Sequence, residues 1–130
     1  MECSVKITTS IDGEESYYSS RGEICRTADG LGYVVLYEFD GDECRLEIRD
    51  DAVAQRRRGS LNMDVAFSDG EEVVMAISDE DGGAEVDVRC GRILCECFRR
   101  GVFCTLNYSI EPSVFSVKIA VIAAFDLSDI

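Results

Sequence analysis

The sequence predicts an all-β protein, a single antiparallel up-and-down β-barrel of about eight to ten strands filling residues 1–130. Three observations predict it. Apolar and polar residues alternate along most of the chain, which places one apolar face on each extended stretch. Nearly every gap between those stretches holds a glycine turn, among them Asp12-Gly13, Asp29-Gly30, Asp40-Gly41 and Asp69-Gly70. No segment of helical length repeats at the ~3.6-residue helical period. Consecutive hairpins with one apolar face imply a meander. Closing such a sheet removes its exposed edges, which favours a barrel over a two-sheet sandwich.

The first strand, 3–11, sets Cys3, Val5, Ile7, Thr9 and Ile11 on one face. Residues 14–26 follow as a longer, more polar strand, interrupted at Gly22 by an expected bulge. In 33–39 both faces are β-rich: Tyr33, Val35, Tyr37 and Phe39 oppose Val34, Leu36 and Glu38, so the inward face stays open. Cys44, Leu46 and Ile48 mark the next strand. The hairpin 53–67 turns at Gly59-Ser60 and aligns Val53, Gln55 and Arg57 with Leu61, Met63, Val65 and Phe67. Val73, Met75 and Ile77 lead to Asp81-Gly82-Gly83, and Val86, Val88 and Cys90 to a strand end at Gly91.

Residues 92–100 are ambiguous. Val102, Cys104, Leu106, Tyr108 and Ile110 alternate cleanly. After Pro112 the last strand presents Phe115, Val117, Ile119, Val121, Ala123 and Phe125 on one face. Within it, 118–125 is the best helical candidate, but its β-branched content favours strand.

The chain reads as one domain, 130 residues long. A domain of about 150 residues buries roughly two-thirds of its unfolded surface, so a real core is within reach. Hydrophobic residues at 46% and charged ones at 30% exclude wholesale disorder. A net charge of −13 repels phosphate backbones and anionic lipid, so neither nucleic acid nor membrane is an expected partner. Residues 1–20 lack the apolar core of a secretory signal, and no apolar run approaches the ~20 residues of a membrane helix. Seven cysteines, an odd number, point to free thiols and a cytoplasmic location.

Several short words resemble a known family in order and spacing. They are I-D-G-E at 11–14, Y-V-V-L-Y-E at 33–38, C-R-L-E-I at 44–48, R-R-G at 57–59, G-G-A-E-V-D-V at 82–88 and L-N-Y-S-I at 106–110. Together with Val65, Phe67 and Asp69-Gly70, they look like the YwiB-like family of uncharacterised bacterial proteins. The resemblance implies a calycin-type, lipocalin-like barrel and a cytoplasmic bacterial origin, and it implies no activity. The segment 90–100 is not a feature of that family.

Arg57 is the anomalous residue. A guanidinium on an apolar face needs a partner or a ligand. It either anchors a ligand carboxylate or phosphate through its planar fork, or pairs with a core acid, for which Glu38 is the candidate. Gln55, Tyr37 and Tyr108 complete the candidate ligand-binding set, with Tyr17, Tyr18 and Tyr33 as further pocket formers. Arg56 and Arg58 flank Arg57 on the opposite face and read as a solvated strand end. Cys95-Glu96-Cys97 lacks the spacing of a structural zinc site, and the chain has no histidine, so no metal or cofactor is expected. Without histidine, a serine elbow or a phosphate loop, no catalysis is expected either.

Two function classes follow. One is a barrel binding a small apolar or anionic molecule. The other is a structural or protein-interaction module with a filled interior, pairing as a homodimer through the last strand, whose second face offers Ala120, Ile122 and Ala124.

Overall fold

The computed structural model describes residues 1–130 as ten antiparallel strands and one short 3-10 helix, Leu127–Asp129. The strands are β1 (Glu2–Ile11), β2 (Glu14–Arg26), β3 (Tyr33–Phe39), β4 (Asp42–Ile48) and β5 (Ala52–Arg58). They continue as β6 (Asn62–Ser68), β7 (Glu72–Asp79), β8 (Gly82–Cys97), β9 (Gly101–Ile110) and β10 (Ser113–Ala123). Each strand pairs with its sequence neighbours, and β1 pairs with β10 from Cys3↔Ala123 to Ile11↔Phe115, closing the ring. The up-and-down barrel expected from the hairpin pattern is thus what forms. Its turns are built as expected at Asp12-Gly13 and Asp40-Gly41, where both residues take positive φ and match the right-handed twist of the flanking strands.

The core is the inner face of the ring. Val5, Val35, Leu46, Val53, Val88 and Val102 are all essentially inaccessible, as period-two alternation demands. The open question at 33–39 resolves in favour of Tyr33, Val35, Tyr37 and Phe39. Tyr37 is 6% exposed, whereas Leu36 is 47% exposed and Glu38 also faces out.

Three local expectations are corrected. No bulge forms at Gly22, since β2 pairs with β1 without a break through Cys3↔Gly22. Glycine is needed there because a Cβ would strike the Leu36 carbonyl oxygen and lie 3.3 Å from Val5 Cγ2. The bulge lies in β8 instead, between Cys90 and Ile93. Gly91 therefore does not end that strand, which runs on to Cys97. The extra residue shifts the parity, so Ile93 and Cys95 point inward after Val86, Val88 and Cys90. Finally, Phe125 lies beyond the end of β10 and is 68% exposed. Leu127 fills the core position expected of Phe125, 3% exposed, held by the Leu127 N–H donating to the Arg99 carbonyl at 2.8 Å.

The two ends of the barrel differ. One is plugged by Leu127 and its 3-10 turn, with Met1 and Ile130 packed alongside. At the other, neighbouring hairpins differ in length. β2 meets β3 only from Gly22 to Arg26, so Glu14–Arg21 stands above the β3–β4 turn. A second irregularity lies in the wall. β6 and β7 pair only through Asn62, Met63 and Asp64 with Ser78, Ile77 and Ala76, and the rest of the two strands forms no ladder.

Candidate functional site

Arg57 sits in unbroken register, opposite Cys44 on β4 and Met63 on β6, so it faces into the barrel. Its side chain is 16% exposed. The acid it meets is Asp42. Arg57 Nε donates to Asp42 Oδ2 at 2.7 Å, and the guanidinium lies over the Phe39 ring, 4.7 Å from the centroid. Glu38 is not its partner, because parity sends Glu38 to the outer face of β3.

Asp42 is the first residue of β4 after the Asp40-Gly41 turn. It shares the inward face of Cys44, Leu46 and Ile48, and its side chain is 5% exposed. Besides Arg57, its carboxylate accepts from Ser60 N at 2.8 Å, from Ser60 Oγ at 3.1 and 3.2 Å and from Leu61 N at 3.3 Å. One side chain therefore ties the β3–β4 hairpin to the β5–β6 turn. Gly59 makes this approach possible: a Cβ there would overlap the Asp42 carboxylate, 2.5 Å from Cγ, and its φ is +155°. The Ser60 N–H and the Arg57 guanidinium, both bonding the ionised form, hold the Asp42 carboxyl at about 2.

A cleft of about 450 Å³ opens above this pair, where β2 overtops β3. Arg57, Gln55, Tyr37, Tyr18, Phe39 and Met63 line it. Tyr18 packs on Phe39 with ring centroids 4.5 Å apart and lies 6.3 Å from Tyr37. Burial raises the Tyr37 phenol above its ordinary value, so it stays a hydroxyl and a donor. Burial likewise raises the Cys44 thiol, with the Arg57 charge opposing. The floor thus offers a cation, an amide and a phenol, and the walls are aromatic and aliphatic.

Of the residues singled out from sequence, Arg57, Gln55 and Tyr37 come together here. Tyr108 does not join them. It stacks between Phe67 and Phe115, with centroids 4.6 and 4.8 Å away, and burial pushes its phenol up to about 12. Tyr33 sits under the Arg26 guanidinium at 5.4 Å, away from the cleft, and Tyr17 is 67% exposed at the cleft's rim. Arg56 and Arg58 both bond Asp64 on the outer face, at 3.4 and 2.7 Å.

The residue that sequence reasoning missed is Asp42. Its signal was present: Asp42, Cys44, Leu46 and Ile48 share one parity, so an acid stands on an apolar face just as Arg57 does. Its place in D-G-D-E disguised it as a turn residue.

No protein-family model matches the chain, and no curated protein matches it. Among solved structures, the chain resembles the crystal structure of YwiB from Bacillus subtilis. The TM-score is 0.82 at 14% identity, over 95% of this chain and 92% of that one. At that identity the likeness is one of fold, and it bears out the YwiB-like barrel that the short sequence words resembled.

Proposed function

We propose that this YwiB-like barrel binds a small molecule whose anionic group sits on Arg57 and whose apolar or aromatic body lies against Tyr18, Phe39 and Met63. One observation carries the reading. Arg57 commits only its Nε to Asp42, so the remaining donors of the fork have no protein partner beneath a cleft of about 450 Å³. That volume falls within the ~300–1,000 Å³ of small-molecule sites. The reading is of binding without catalysis. It includes the calycin class, supported by the closed up-and-down ring, and a bacterial cytoplasmic setting, supported by seven cysteines that are all free.

A thermal-shift screen of carboxylates and phosphates tests it. A ligand raises the melting temperature with the logarithm of its concentration over its dissociation constant, and Arg57→Leu abolishes the rise. Gln55→Leu leaves the Arg57–Asp42 pair intact and weakens binding about tenfold, the scale of one hydrogen bond to a charged group. A screen in which no anion shifts the wild-type protein removes the reading.

A second reading, an interaction module pairing with its own copy, is favoured by the outer wall of β9 and β10. Phe103 and Ile122 are 38% and 42% exposed there, and Phe98 packs edge-on to Phe103 at 5.2 Å. The outward positions of the two strands carry no carboxylate, on a chain of net charge −13. Sedimentation should show a dimer that Ile122→Glu converts to monomer. A wild-type protein that is monomeric at high concentration excludes it.

A further inference from the structure

We propose that Cys95 and Cys104 form an oxidisable dithiol, which a hydroperoxide converts into a disulfide across β8 and β9. The site is independent of the cleft and lies toward the plugged end of the barrel. Cys95 and Cys104 stand directly opposite each other in the β8–β9 register. Opposed residues of antiparallel strands have Cα atoms about 4.5–5.5 Å apart, inside the range of about 4.4–6.8 Å that a disulfide spans. The bulge between Cys90 and Ile93 creates the juxtaposition, because it turns Cys95 onto the inner face that Cys104 occupies.

Access separates the roles. Cys104 is 1% exposed, Cys95 is half-buried and Cys97 is exposed at the strand end. An oxidant entering from that end reaches Cys95 before Cys104. The electrostatics run the same way. The neighbouring Cys104 thiol holds Cys95 below its ordinary value, although burial, Asp50 and Asp51 oppose this. In turn, the neighbouring Cys95 and burial push Cys104 up. Cys95 is therefore the nucleophile and Cys104 the resolving thiol, the arrangement of a redox-sensitive pair. No three Cys, Asp or Glu side chains converge as a bound metal would require.

In the first step the Cys95 thiol ionises, its thiolate attacks one peroxide oxygen, the O–O bond breaks, and the departing hydroxide takes up the proton released on ionisation and leaves as water. Cys95 is left as a sulfenic acid. In the second step the Cys104 sulfur attacks the Cys95 sulfur, the S–O bond breaks, and the leaving hydroxide takes the Cys104 proton as a second water. The two sulfurs lose two electrons in all, and the peroxide gains them.

Treating the full chain with hydrogen peroxide, alkylating the remaining thiols and digesting with trypsin tests this. Cleavage after Arg92, Arg99, Arg100 and Lys118 places Cys95 and Cys97 in peptide 93–99 and Cys104 in peptide 101–118. The expected product is a linked 93–99/101–118 pair, lost on reduction and still formed in Cys97→Ser. Cys104→Ser should leave a sulfenic acid on Cys95, trapped by dimedone, with no link. Because that variant buries a hydroxyl, the wild-type map decides by itself. The proposal is overturned if the link runs through Cys97, or if exposed Cys25 and Cys97 oxidise while Cys95 and Cys104 remain alkylatable thiols.

Discussion

Asp42→Ala is expected to destabilise the protein more than the loss of any outer-surface ion pair, and to blunt its sensitivity to acid. The substitution removes the acceptor for Arg57 Nε, Ser60 N, Ser60 Oγ and Leu61 N in one stroke. It leaves a largely buried guanidinium without a counter-charge, and stranding one member of such a pair is worse than never having had it. Glu72→Ala is the control. It breaks the Arg89–Glu72 pair, whose side chains are 76% and 72% exposed, and should cost almost nothing.

The acid response follows from the sign of the shifts. Asp42, Asp29 and Asp126 all titrate at about 2 in the folded chain, each held down by hydrogen bonds to its ionised form. A carboxyl depressed on folding stabilises the native state above its unfolded value of about 4, and that stabilisation is lost as pH falls toward about 2. Melting temperature should therefore be level from pH 7 to about 5 and drop between about 4 and 2. In Asp42→Ala the drop should be shallower. A variant matching wild type at pH 7 would show that the latch holds nothing.

Leu46→Ala should cost about 2–5 kcal/mol and Leu36→Ala about 0.5 kcal/mol or less, measured by denaturant unfolding. The two leucines lie on paired strands. Leu46 stands opposite Val35 inside the ring and is 1% exposed, whereas Leu36 stands opposite Arg45 outside and is 47% exposed. Leu46→Ala removes buried methyl groups and opens a void that the closed wall cannot collapse to fill. Equal effects at the two positions would invert the assigned face of β3.

That face is where reading the sequence reached its limit. Alternation shows that a strand has two sides, and it chooses the inner one only when the other is polar. Cys3, Val5, Cys44 and Leu46 gave that contrast. The strand 33–39 is apolar on both sides, so only pairing with β2 and β4 decides. Parity also fails across a bulge: nothing in V-R-C-G-R-I-L says that an extra residue is inserted at Gly91-Arg92, and the inner role of Cys95 was hidden with it.

Arg57 was legible because it broke the pattern of its own strand. Its partner was not, since pairing across strands depends on register, which Asp40-Gly41 and Gly59-Ser60 set only in three dimensions. Glu38 lies just two residues before that turn and Asp42 just after it. The difference between them is one of parity through the turn, and it decides which carboxylate meets the guanidinium.

The narrow ladder between β6 and β7 has a mechanical meaning. A ring of strands yields where its stitching is thinnest, and here the stitches gather at Asn62–Asp64, level with Met63 and the cleft, while the wall beneath has no ladder. Parting of the wall is therefore expected first between Val65–Ser68 and Glu72–Met75, away from the Asp42 clasp.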